Sequence, residues 1–192
     1  MFFRKKENLS AGRQEKNTKV QLVVVLLIIF VTILLKIGTS LWPDVGILIA
    51  DKNLNVLVAD TTDHRYEGWS GRDSMDKMDG MMFVFKNHSQ HTMVMRDMNF
   101  PIDIVWAVGI DDEGNKCSLN KFGLRKMVTG LYHSCMAKVV DIAPNVKTEV
   151  DVVQNELIPY FAREKSTIVF ELKAGFAKEN GLKIGDIIEI KN

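Results

Sequence analysis

From Val20 to Leu35 the chain reads VQLVVVLLIIFVTILL, sixteen residues without a charge. A helix rises 1.5 Å per residue, so about 20 residues cross the hydrocarbon core of a bilayer. Ile37 extends the apolar run to residues 20–37, and Lys36 is long enough to snorkel to the interface. The run is apolar on every side, which argues against a core helix with one wet face. Six basic residues (Arg4, Lys5, Lys6, Arg13, Lys16, Lys19) precede it against two acidic ones (Glu7, Glu15), and Trp42 stands where an interfacial aromatic is expected. The expectation is an N-terminal transmembrane helix at 20–37 in contact with the lipid bilayer, a basic cytoplasmic tail at 1–19, and everything after the span outside the cytoplasm. A cleaved signal peptide, with Gly38 and Ser40 as small-residue cleavage positions, is the alternative and gives the same compartment. No cysteine stands directly after the run, which argues against a lipoprotein.

The chain has 192 residues, room for one ordinary domain beyond that appendage. Its net charge of +1 hides an asymmetry, because the basic tail leaves the remainder mildly acidic. A phosphate backbone rewards clustered Lys and Arg, so nucleic acid is not an expected partner. The two cysteines, Cys117 and Cys135, fall in the extracytoplasmic part, where a disulfide is permitted; two unpaired thiols are the other possibility. No CxxC supports a zinc ribbon or thioredoxin chemistry.

After residue 45 short runs rich in Val, Ile and Phe recur between turn residues: 46-GILIAD, 55-NVLVAD, 81-MMFVF, 92-TMVM, 102-IDIVWAVGI, 138-KVVDIA, 148-TEVDVV, 167-TIVFEL and 186-DIIEI. Alternation and β-branched content read as half-buried strands. Turns are expected at 51–53 and 112–115. Two short helices are expected, at about 62–68 with Thr61 or Thr62 as N-cap, and at 174–180 with Gly181 closing it in the left-handed region. The fold class is mainly β: an antiparallel sandwich or barrel-like domain with one or two short helices, behind the transmembrane helix. Residues 38–54 serve as linker and first strand, and 55–192 as the globular β domain.

The stretches VADTTDHRYEGWSGR (58–72), GMMFVF (80–85), MRDMNFPIDIV (95–105) and IVFELKAGFAKENGLKIGD (168–186) together resemble domain of unknown function 192, also called uncharacterised protein family 0127. The likeness covers most of residues 55–190. Trp69-Ser70-Gly71 and Val94, Asp97 and Met98 depart from the family pattern, and residues from about 115 to 137, with both cysteines, look like an insertion. The resemblance implies a mostly β domain, often secreted or anchored by an N-terminal segment. It implies no particular activity.

The polar positions carried over by that resemblance are Asp60, Thr61, Arg65, Arg72 and Asp103. Two arginines and two aspartates converging at one end of the β domain would suit a small ligand, since the guanidinium fork matches a carboxylate or phosphate. The competing reading is structural: Asp60 and Thr61 capping the short helix, and an arginine pairing with Asp103. His88-x-x-His91, with His64 or Asp103, has the donor types of a metal site, but His64, His88, His91 and His133 read more simply as loop histidines, and no metal is expected. Met75, Met78, Met81, Met82, Met93, Met95 and Met98 read as core packing rather than a soft-metal site. No nucleophile motif or phosphate loop is present, and no cofactor is implied. Asn87-His88-Ser89 fits a glycosylation sequon, relevant only in a eukaryotic secretory setting. The functional expectation is a non-catalytic binding or accessory module for a small polar or saccharide-like ligand or an envelope partner protein. A cell-envelope hydrolase using Asp103 as acid or base is the alternative, and a purely structural protein the third reading.

Overall fold

A computed structural model describes residues 21–32, 42–117, 136–149 and 156–191. The chain divides into two compact units, Met1–Leu41 and Trp42–Asn192. In the first, residues 21–32 are helical with exposed side chains. The rest of the expected span 20–37, and the tail 1–19, lie outside the described residues. Among the described residues no helix is long and apolar enough to cross a membrane.

The second unit runs β1 (Asp44–Ile49), β2 (Lys52–Ala59), α1 (Thr62–Glu67), β3 (Gly80–Ser89), β4 (Thr92–Met93), β5 (Ile102–Ile110), β6 (Met136–Val146), β7 (Tyr160–Phe161), β8 (Ser166–Lys173), α2 (Phe176–Glu179) and β9 (Ile187–Lys191). Seven strands close into a barrel in the order β1-β2-β3-β8-β5-β6-β9, and β4 pairs with β7 in a separate two-stranded ribbon. Closure leaves the barrel without a free edge. The expected mainly β domain is therefore a barrel, not a sandwich, and it is mixed rather than antiparallel. β2 and β3 are parallel, Val56 beside Gly80 through Ala59 beside Phe83. The reason lies between them: parallel neighbours need a crossover of a dozen or more residues, and residues 60–79, with α1, supply it.

Local chemistry explains several joins. β1 and β2 meet in a two-residue hairpin turn at Ala50 (φ 48°) and Asp51 (φ 60°), one residue earlier than the turn expected at 51–53. Positive φ at both central residues matches the right-handed twist of the flanking strands. Thr61 caps α1 through its side chain, which accepts a hydrogen bond from the His64 N–H at 3.1 Å. Gly80 must lack a side chain, because a Cβ there would stand 2.5 Å from the Glu171 carbonyl oxygen of the neighbouring strand. β6 begins within the insertion expected at about 115–137, of which residues 118–135 lie outside the described residues. Cys117 ends a described segment and Cys135 lies beyond it, so the disulfide considered between them falls outside the described residues as well. Residues 148–149 of the expected 148–153 strand are not strand, and 150–153 lie outside the described residues.

β3, β5 and β8 are buried on both faces. Inside the barrel pack Val58, Met82, Val84, Val105, Ala107, Ile168, Phe170 and Leu172. On the opposite face Met81, Phe83, Ile104, Trp106 and Val169 join Trp69, Met93, Met95 and Met98 in a second core. Alternate residues of one strand thus feed two cores, and the outer one is roofed by the chain following α1 and β4. Much of the methionine content serves this packing, in line with a flexible, gap-filling side chain.

Candidate functional site

α1 gathers four of the five polar residues expected to form a site. Thr61 is its cap. Arg65 reaches back with Nη1 to donate to the backbone oxygens of Asp60 (2.7 Å) and Val84 (3.0 Å), and its guanidinium lies 5.6 Å from the Phe85 ring centroid. Asp60 Oδ1 is 3.8 Å from His64 Nδ1, and both side chains are buried. Arg72, in the turn after α1, stands 5.4 Å from the Trp42 ring and 5.3 Å from the Trp69 ring, and 3.7 Å from Glu67. These groups fasten α1 to the strands beside it.

Asp103 does not join them. It is 0% exposed at the start of β5, and its hydrogen bonds come from backbone amides. Oδ1 accepts from Asn145 N at 2.7 Å and Gly175 N at 2.9 Å, and Oδ2 accepts from Ala177 N at 2.8 Å. Gly175 is the N-cap residue of α2, in the left-handed region at φ 89°, and has no side chain with which to cap. Asp103 supplies that cap from another strand, and it also holds Asn145, itself left-handed at φ 52°. Neither arginine reaches this carboxylate through a hydrogen bond, so the expected meeting of Asp103 with Arg65 or Arg72 is replaced by a backbone anchor.

The residue the sequence reading passed over is Glu171. It sits in the middle of β8, opposite Met81 on β3 and Ile104 on β5, on the face of the second core. It is 3% exposed, and its Oε2 has no hydrogen-bond partner in the protein. Burial raises its pKa to about 8 from an ordinary value of 4.5. An acid with no cation beside it in an apolar site favours the neutral form, because the charge would be stripped of water. Trp69 is 1% exposed and likewise leaves its indole Nε1 unpartnered.

Both residues line one cavity of about 30 Å³, with Tyr66, Glu67, Gly68, Ser70, Phe83, Val94, Arg96 and Met98. Tyr66, Glu67, Ser70 and Arg96 also line a broad surface groove of about 600 Å³, completed by Thr62, Asp63 and Asp97. The cavity and the groove share four lining residues and so adjoin each other beside α1. Arg96 forms part of the wall between them: its guanidinium lies 3.8 Å over the Tyr66 ring, and its backbone oxygen accepts from Ser70 Oγ at 2.9 Å. Gly71 N donates to the Asp97 oxygen at 2.8 Å, so the turn after α1 and the 96–97 turn are clamped together. Asp97 is itself left-handed, at φ 51°.

The histidines stand apart from this groove or are committed elsewhere. His91 stacks on Phe85 with centroids 3.6 Å apart, and its Nε2 meets the Asn87 carbonyl at 2.9 Å. Burial lowers its pKa below the usual value. His88 Nδ1 faces Lys116 Nζ at 3.2 Å. His64 stacks on Trp42 at 4.2 Å, and His133 lies outside the described residues. Among the described residues no three His, Cys, Asp or Glu side chains come together to hold a metal.

With this geometry in place, comparison with known proteins places the first half of the barrel. Residues 46–115 match the model of the family DUF192, described as Uncharacterized ACR, COG1430. The chain carries a DUF192 domain. The DUF192 match contributes α1, Trp69, Arg96 and Asp103, whereas Glu171 comes from β8, beyond its end. Two solved structures share the fold. One is a protein of unknown function from Novosphingobium aromaticivorans, 21% identical, covering 77% of this chain and 84% of its own, with a TM-score of 0.50. The other is described as a putative transcription regulator from Sinorhizobium meliloti, 22% identical, covering 78% of this chain and 94% of its own, with a TM-score of 0.52. No curated protein matches the chain.

Proposed function

We propose that this DUF192 protein is a non-catalytic binding module, carried outside the cytoplasm by the apolar segment at 20–37, that takes a small polar ligand in the groove along α1. The observation that carries this reading is that the groove shares Tyr66, Glu67, Ser70 and Arg96 with a water-sized cavity lined by Glu171, a buried acid with an unpartnered oxygen. A buried acid without a partner costs stability, and such costs are tolerated mainly where a function needs them. The groove supplies what orientation of a polar ligand requires: the carboxylates of Asp63, Glu67 and Asp97, the Ser70 hydroxyl and the Arg96 guanidinium beside the exposed Tyr66 ring. Asp60, Thr61, Arg65 and Arg72 act one layer back, holding α1 and its turn in position.

A hydrolase built on Asp103 has less support. Substrate would have to reach a fully buried carboxylate that already accepts three backbone N–H groups.

The test is ligand-induced thermal stabilisation of the full-length chain against monosaccharides, polyols, amino alcohols and carboxylic acids at millimolar concentration. At least one class raises the melting temperature. Arg96→Ala, which opens the wall between groove and cavity, removes that rise and leaves the unliganded melting temperature within a degree or two. No stabilisation by any class, or stabilisation indifferent to Arg96, contradicts the reading.

A further inference from the structure

The small cavity constrains which chemical group can occupy it. Its volume of about 30 Å³ suits one water-sized group. Two of its lining residues carry a buried side-chain polar atom without a partner, one a fixed donor and one a carboxyl. The donor is the Trp69 indole N–H, on a ring held by Phe100 edge-on at 5.8 Å and by the Arg72 guanidinium over its face. The carboxyl is Glu171, held between the strands carrying Met81 and Ile104. Each leaves one buried polar atom unsatisfied. An indole nitrogen can only donate, while a carboxyl accepts when ionised and both donates and accepts when neutral.

Three groups of the right size then separate on chemistry. An ammonium brings only donors; it would satisfy an ionised Glu171 but oppose the indole N–H. A carbonyl brings only an acceptor; it would satisfy Trp69 but needs Glu171 protonated. A hydroxyl accepts from Trp69 and donates to Glu171 in either state of the acid. Resting on the groove as the binding site, we infer that the ligand is a hydroxylated molecule, a polyol or sugar, one hydroxyl of which enters the cavity between Trp69 Nε1 and the Glu171 carboxyl while the rest lies along α1.

The surroundings agree with a neutral occupant. The titratable groups facing the cavity are Tyr66 and Glu67 from α1 and Arg96 from the turn before β5; the neighbouring strands bring Met81, Phe83 and Ile104. Burial alone keeps Glu171 largely protonated near neutral pH, so the cavity floor has little charge with which to hold an ammonium. Carboxylates at the mouth, here Asp63, Glu67 and Asp97, suit the vicinal hydroxyls of a polyol, since each oxygen pair accepts from two O–H groups.

The experiment follows the three indole N–H resonances of the full-length chain, from Trp42, Trp69 and Trp106, with the Trp69 signal assigned by Trp69→Phe. Glycerol, methylammonium and acetamide are titrated separately between pH 6 and pH 9. Glycerol is expected to shift the Trp69 resonance saturably, leave the Trp106 resonance in place, and bind with an affinity that changes less than threefold across the range. Glu171→Leu, checked for folding by its melting temperature, weakens glycerol at least tenfold. Methylammonium binding that strengthens toward pH 8 and above would overturn the inference in favour of a cation, and acetamide binding lost above pH 8 would overturn it in favour of a carbonyl. If thermal stabilisation through the groove persists in Glu171→Leu while no probe moves Trp69, the hydroxyl pocket fails and the groove reading survives. If neither responds, both fail.

Discussion

Two acidic residues lie on neighbouring strands, one register step apart, and are buried almost equally. Asp103 on β5 pairs with Leu172, and Glu171 on β8 pairs with Ile104. Asp103 accepts three backbone N–H groups and serves as the missing cap of α2. Glu171 leaves an oxygen without a partner and faces a cavity. Burial by itself therefore says little about what a carboxylate does. The direction from which its hydrogen bonds come separates an anchor for the chain from a group held ready for something else. The α2 end of the barrel uses its acid to fix backbone in left-handed and turn conformations. The α1 side carries an acid with one buried oxygen that meets no partner in the protein.

The comparison is most easily broken at Asp103. Asp103→Ala takes the acceptor from three backbone amides at once, one of them, Ala177 N, buried and the other two partly so, each worth about 1–3 kcal/mol when left without a partner. A loss of about 4 kcal/mol or more in urea denaturation is expected, with α2 and the Asn145 turn disturbed together. A loss below about 1 kcal/mol would mean that those bonds do not anchor the fold.

Glu171 should respond in the opposite sense. Its folded pKa is raised to about 8 from 4.5, so between these values the native state holds a proton that the unfolded state has released. More protons bound in the native state means that stability falls as pH rises through this window, then levels off above pH 8. At about 1.4 kcal/mol per unit, the wild type should lose about 3 kcal/mol from this residue between pH 5 and pH 8. Glu171→Gln, which cannot ionise, removes that slope and makes the chain more stable by about 2 kcal/mol at pH 7.5, the residual cost being a buried amide. Denaturation curves of both proteins at pH 5, 6.5 and 8 check this, and parallel pH dependences would remove the distinction between the two acids.

The smallest expected effect sharpens the account of the groove wall. Thr61→Ala deletes the α1 cap and costs about 1 kcal/mol. Because α1 lines the groove, ligand stabilisation should weaken along with it in the thermal assay. An unchanged ligand response would place the binding surface elsewhere.

Much of the barrel was readable from residue order. Alternating Val, Ile and Phe located the long strands, and Thr61 announced α1. The parallel β2–β3 pair was not readable from the short helix expected at about 62–68, because pairing direction depends on the whole crossover, residues 60–79, and not on that helix alone. β7 has two residues, too few for any periodic signal. Asp103 was singled out, but its partners are backbone amides 42 to 74 positions away, and no sequence pattern announces those. Glu171 was overlooked for an instructive reason. In TIVFEL it reads as the polar face of a half-buried strand. Yet Val169 stands on that same face, and both faces of β8 are covered. A lone acid among apolar residues on both faces was the available signal. The departures from the resembled family pattern at Trp69, Ser70, Val94, Asp97 and Met98 line the groove and its cavity, so the residues that looked least typical surround the proposed site.

The contrast between the two acids is tested most directly by following the Glu171 side-chain carboxyl carbon by NMR in the full-length chain from pH 4 to pH 10, with Glu171→Gln identifying its signal. The account predicts a single titration with its midpoint near 8, three to four units above an exposed glutamate. A midpoint near 4.5 would contradict it, since the carboxylate would then have found water or a donor, and no unpaired acid would be waiting beside the groove.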